Sequence, residues 1–259
     1  MSGFSLEWLS LREPADLSAR DSGLLQEALR WLQAWETPII VDLGAGSGST
    51  LRALERAGLR AGLWRLVDND GALLDAALHR HLAGWMLEDH QSDLTVVDEL
   101  PLGGARLVTA SALFDLASER LLENLVARLP DGCGLYSALN YDGDMRWTPA
   151  HPLDAQVVAA FNEDQRRDKG MGGPALGPEA VAFLTRLLES RGFHVRIATS
   201  PWQLTPQDGN LQRALVTGIT AAVADRIPAA ALAEWQQCRE RTGSCYVGHL
   251  DLLALPADT

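Results

Sequence analysis

The residues that most restrict the fold are 38–50, PIIVDLGAGSGST. Pro38 stops whatever precedes it, Ile39, Ile40 and Val41 form a short β-branched run, and Asp42 closes it. Glycines follow at Gly44, Gly46 and Gly48, and Ser49 and Thr50 open a helical pattern through Leu51, Leu54 and Ala57. A strand that turns into a helix through glycines leaves its backbone uncovered. Free N–H groups and the positive end of the helix dipole then point at whatever lies against it.

Around that turn the chain alternates strand and helix patterns. After the turn, strands are expected at 63–67, ending in Asp68, Asn69 and Asp70; at 94–97, ending at Asp98; at 106–110, running into SALFDL; and at 135–139, ending at Asn140. Two more follow at 194–198 and in the closing YVGHLDLLAL. Such alternation predicts one α/β domain over 1–259, a doubly wound sheet of seven strands with helices on both faces. Residues 1–37 read as a helical lead-in interrupted at Pro14, and 141–178 and 199–244 break the rhythm as cap insertions with helices near 154–167, 211–224 and 229–241.

Bulk properties narrow the partners. The net charge of −12 argues against holding nucleic acid by phosphate neutralisation, which needs a basic surface. Lys169 is the only lysine. The three cysteines have no metal-ligand spacing and the opening residues lack the pattern of a signal peptide, so the expectation is a cytoplasmic protein with free thiols and no metal. The longest apolar run, 214–224, is too short to span a bilayer.

The dehydrogenase fingerprint G-x-G-x-x-G fails from Gly44, because its third glycine falls on Ser49. What stands there is D-x-G-x-G-x-G, from Asp42 to Gly48. In this the chain resembles the class I (Rossmann-like) S-adenosylmethionine-dependent methyltransferases, whose first motif has that form. A carboxylate beside the turn suits a ligand carrying an ammonium and a sulfonium and would repel a pyrophosphate. The segments TASALFDL and FNEDQRRDKG resemble a bacterial, small-molecule branch of that family.

The resemblance implies S-adenosylmethionine as cofactor, S-adenosylhomocysteine as product, and a last strand antiparallel to the other six. It puts Asp42, Gly44, Ala45 and Gly46 at the turn and Asp68 on the ribose hydroxyls, with Asn69 beside it where an apolar residue is usual. Asp98 would face the adenine amino group, with Asp89 and Asp93 as rivals, and Ser111 would lie beside the cofactor. In the lead-in, Arg12, Asp16 and Arg20 are candidate lid groups, Arg20 counted with the cofactor set; solvated helix faces are the alternative.

The acceptor is expected to be a small, polar or anionic metabolite, received by the cap insertions, with oligomeric state left open. The fourth strand lacks the turn motifs of the base-modifying branches. Asn140, Asn162, Arg166, Lys169 and Trp202 are the candidate substrate residues. His151, Tyr141 and Asp142 are the candidate catalytic residues, and Asp115 and His249 are further candidate bases. A nicotinamide oxidoreductase and a non-catalytic S-adenosylmethionine-binding protein stand as the alternatives.

Overall fold

The computed structural model describes residues 5–81, 84–241 and 243–257. The lead-in forms α1 (Leu6–Ala19) and α2 (Ser22–Leu32), followed by β1 (Ile39–Leu43), α3 (Ser49–Ala57), β2 (Leu63–Asp68), α4 (Gly71–His81) and β3 (Met86–Gln91). Next come β4 (Leu107–Ser111), α5 (Glu119–Ala127), β5 (Gly134–Thr148), α6 (Asp154–Gln165), α7 (Ala180–Ser190) and β6 (Phe193–Thr199). The chain continues through β7 (Trp202–Leu204), α8 (Gly209–Val223), α9 (Ala229–Arg239) and β8 (Ser244–Pro256).

Among the described residues one sheet runs in the order β3-β2-β1-β4-β5-β8-β6, with β7 paired to β8. The neighbours from β3 to β5 are parallel, and β8 lies antiparallel to β5, β6 and β7. Alternation along the strands sends side chains to opposite faces. Val41, Leu43 and Val108 meet α5 and α7 through Leu122, Leu125, Leu184 and Leu188. Ile40, Leu66 and Leu107 meet α2, α3 and α4 through Leu24, Leu32, Leu54 and Leu74. A third buried cluster belongs to the cap, where Met145, Trp147, Trp202, Val216, Trp235 and Val247 pack together.

Four expectations are corrected. The third strand is at Met86–Gln91, not 94–97. It is an exposed edge strand, so its polar MLEDHQ carries no apolar signal, whereas Val97 is buried in a short 3-10 turn. Helix α1 runs through Pro14; the carbonyl that loses its partner belongs to Ser10, at the surface. The break comes instead at Arg20, which is extended, and Asp21, whose side chain caps α2 at Leu24 N–H, 2.8 Å away.

The first insertion begins later than 141, because β5 continues to Thr148 and pairs Met145 with Val247 and Trp147 with Cys245. Finally, β7 adds an eighth strand to the expected seven. The long β5–β8 ribbon thereby carries the cap.

Asp251 on β8 ties the ribbon to the lead-in. Its carboxylate, fully buried, accepts from Leu139 N–H at 2.8 Å, Ser200 Oγ at 2.6 Å and Asp21 N–H at 3.0 Å. Leu139 sits at φ 57° where the β5–β8 register shifts, so one carboxylate holds a β-bulge, the β6–β7 link and the start of α2.

Candidate active site

The turn after β1 requires its glycines. Gly44, Gly46 and Gly48 have φ of 62°, 52° and 83°, in the left-handed region. A Cβ on Gly44 would lie 2.9 Å from Leu113, and one on Gly46 would lie 3.1 Å from Leu9 of α1. The Gly46 N–H donates to Asp68 Oδ2 at 2.8 Å, and the Asp70 N–H donates to Oδ1 at 3.0 Å. Asp68 is thus held in place at the end of β2 with its carboxylate on the wall of a cavity.

Two charges of opposite sign are buried behind the turn. Asp42 is 1% exposed; Thr109 on β4 donates to its Oδ1 at 2.7 Å, while Oδ2 has no partner. Burial pushes this carboxyl up to about 6, against the opposing help of Thr109, Arg20 and the Thr50 hydroxyl. Arg20, also buried, donates from Nη2 to Ser111 Oγ at 2.9 Å and leaves Nε and Nη1 without partners. Leaving buried polar groups unpaired is costly.

The cavity in front of the turn has a volume of about 630 Å³. One half is lined by the glycine turn, Asp68 to Asp70, Asp93, Leu94 and Ser111 to Leu113. The other half is bounded by Trp8 and Arg12 of α1, Phe161 and Asp164 of α6, Lys169 to Met171, and α8. Helix α1 is held over the cavity from two sides. On one side Trp202 Nε1 of β7 donates to Asp16 at 2.9 Å, an acid that Arg12 also holds from within the same helix through bonds of 2.8 and 3.1 Å. On the other flank Glu13 pairs with Arg52 of α3, and with Arg80 of α4 at 3.6 Å.

Of the sequence candidates, Gly44, Ala45, Gly46, Asp68, Asn69, Ser111 and Lys169 line the cavity, as do the lid candidates Arg12 and Asp16. Asp42 and Arg20 stand immediately behind it. Asp98 is corrected: it lies exposed in the turn after the true third strand and pairs with Arg128, while Asp93 and Leu94 take the wall position. The long spacing from Asp68 was the available warning.

The catalytic and most substrate candidates are also displaced from the wall. Because β5 continues, Asn140 and Tyr141 become ladder positions opposite Leu250 and His249. Asn140 bonds Ser137 Oγ at 2.8 Å, and Tyr141 Oη donates to Asn162 Oδ1 at 2.9 Å. Asn162 in turn donates to the Gly143 carbonyl at 2.9 Å. Asp142 packs on Gly248, whose absent Cβ would overlap its carboxylate. His151 is a turn residue, its Nδ1 accepting from Leu153 N–H at 3.1 Å. Arg166 is half exposed near Glu179, 3.7 Å away, and the Trp202 indole is buried on Asp16. Asp115 and His249 are buried behind the wall, each with one unpartnered atom. Burial lifts the Asp115 carboxyl to about 6 and depresses the His249 imidazole to about 3.

Sequence reasoning missed Phe161, Met171, Leu113 and the cavity face of α8. The helix near 211–224 was expected in a cap insertion that receives the acceptor, but its apolar run singled out no residue of the wall. Among the described residues no helix is long and apolar enough to cross a membrane, and no cluster of His, Cys, Asp and Glu could hold a metal.

No protein-family model matches the chain, and no curated protein matches it. Solved structures do. A candidate methyltransferase from Bacillus halodurans is 14% identical, with a TM-score of 0.54, over 90% of this chain and 99% of that one. The YcgJ protein from Bacillus subtilis is 12% identical, with a TM-score of 0.55, over 92% and 100%. A cyclopropane-fatty-acyl-phospholipid synthase-like protein from Lactobacillus casei is 13% identical, with a TM-score of 0.51, over 94% and 99%. Taken with the strand order and the glycine turn after β1, these similarities give the chain the Rossmann-like fold of the class I S-adenosylmethionine-dependent methyltransferases.

Proposed function

We propose that this protein transfers the methyl group of S-adenosylmethionine to a small-molecule acceptor. One observation carries the reading: the unpartnered Asp42 Oδ2 and the unpartnered Arg20 Nε and Nη1 flank one glycine turn. They match the two charges of an amino-acid end, an ammonium for the carboxylate and a carboxylate for the guanidinium. A dinucleotide pyrophosphate would meet Asp42 as a like charge.

The remaining fit follows from the wall. Asp68 keeps lone pairs free for ribose hydroxyls, and Asp93 and Leu94 bound the place left for a base. Ser111, bonded to Arg20, joins the cavity wall to the buried charges. When bound, the donor would supply an activated methyl on its sulfur, with S-adenosylhomocysteine as the leaving group and the acceptor's proton passing to solvent. The chain's own contribution is alignment and exclusion of water. Helix α1, pinned by Glu13 and by Asp16, covers the turn with Leu9 while α6 and α8 bound the acceptor space.

Isothermal titration with S-adenosylmethionine, S-adenosylhomocysteine and NADH tests the assignment. Uptake of the first two and not of NADH is expected, with heat lost on Arg20→Ala. Binding of NADH alone, or no uptake of either sulfur ligand, refutes it.

A further inference from the structure

Helix α8 meets the cavity through Ala214, Leu215, Gly218, Ile219 and Ala222. Gly218 is the member the fold does not explain. It stands mid-way along a 15-residue helix, where glycine costs about 1 kcal/mol relative to alanine. Its backbone is not in the left-handed region, and a Cβ built on it would meet nothing within 4 Å. Neither conformation nor packing therefore asks for glycine. What the missing side chain leaves is room in the cavity, flanked one turn away on each side by the small Ala214 and Ala222.

The charges on this half of the wall are already satisfied. Lys169 Nζ donates to Asp164 Oδ2 at 2.6 Å, and Arg12 holds Asp16 through two bonds. Each charge is thus neutralised by its partner, so an anion approaching Lys169 would meet Asp164 as a like charge, and a cation approaching Asp16 would meet Arg12 as one. A neutral apolar body disturbs neither and gains contact with Phe161, Met171 and Leu215.

Resting on the methyl-transfer reading above, we propose that the acceptor is an uncharged, largely apolar molecule whose body lies along α8, with Gly218 setting how deeply it enters. This differs from the polar or anionic acceptor expected from the sequence.

The test is isothermal titration of the full chain, with and without saturating S-adenosylhomocysteine, using shape-matched neutral and anionic probes: phenol and benzoate, indole and indole-3-carboxylate, 1-naphthol and 1-naphthoate. At least one neutral probe is expected to bind at least tenfold more tightly than its anionic partner. Gly218→Leu should weaken that probe at least tenfold and Gly218→Ala less, with S-adenosylhomocysteine affinity within twofold of the parent in both. Neither variant should melt lower, since both replacements favour the helix. Preference for the anionic probes, no binding of any neutral probe, or indifference to Gly218→Leu overturns the proposal. Failure of S-adenosylhomocysteine itself to bind sinks the methyl-donor reading instead, and the titrations without it still decide the chemistry of the chamber.

Discussion

Replacing Asp42 by asparagine is expected to move stability and ligand affinity in opposite directions. A carboxyl raised from its usual 3.8 to about 6 by burial is ionised at neutral pH at a cost to the folded state of about 3 kcal/mol, at about 1.4 kcal/mol per tenfold. Asparagine keeps the Thr109 bond and removes that cost, but its amide N–H, in the place of the unpartnered Oδ2, gives back about 1–3 kcal/mol. The net at pH 7 is a gain of about 1 kcal/mol, or a melting temperature higher by roughly 2–4 °C.

The pH dependence isolates the charge from the amide. The folded state binds the Asp42 proton more tightly than the unfolded chain, so the parent gains stability as pH falls from about 6 towards 3.8. The variant has nothing there to titrate. The stability difference should therefore shift by about 2 kcal/mol in the parent's favour between pH 7 and pH 4, whatever the amide costs, turning a gain of about 1 kcal/mol into a loss of about 1 kcal/mol. Asp115, also raised to about 6, is common to both proteins and cancels. Denaturant unfolding across that range measures the difference. Titration with S-adenosylhomocysteine at pH 7 should show a loss of roughly 10- to 100-fold, the worth of one charge-assisted hydrogen bond. A stability difference independent of pH, together with unchanged affinity, would refute the reasoning.

Other expected outcomes can be checked separately. Asp68→Ala leaves the Gly46 and Asp70 N–H groups without their acceptor and should weaken S-adenosylhomocysteine by roughly 10- to 100-fold in calorimetry; an unchanged constant would exclude Asp68 from the ligand site. Asp251→Ala orphans the donors of Leu139, Ser200 and Asp21 and should cost about 3–5 kcal/mol in urea unfolding; a loss below about 1 kcal/mol would contradict the linking role. Glu13→Gln frees α1 from Arg52 and Arg80, so hydrogen exchange across Leu6–Ala19 should accelerate about tenfold, equivalent to about 1.4 kcal/mol. Unaltered exchange there would mean that the Asp16–Trp202 side alone holds the helix.

How far the chain could be read in advance depended on the range of the interaction. Strand, turn and helix around Gly44–Gly48 follow from β-branching, missing side chains and a 3.6-residue period, all properties of near neighbours. The same local rules located the helices of both insertions. They failed at Met86–Gln91, because an edge strand needs no apolar pattern, and therefore put the candidate adenine-side acid on Asp98, which lies off the cavity wall that Asp93 joins. They failed again at Asn140 and Tyr141, where pairing with β8 extends a strand that looked finished.

The amino-acid order by itself determined the α/β alternation, the glycine turn and its flanking Asp42, and Asp68 at the end of β2, since each is a pattern within a few consecutive residues. Only the tertiary structure decided that Arg20 lies beside Ser111, 91 residues away along the chain, and that Lys169 is already held by Asp164. It alone also picked out which face of α8 lines the cavity. Which charges are spent on one another, and which space is left open, depends on segments brought together across the fold, and no local periodicity records that.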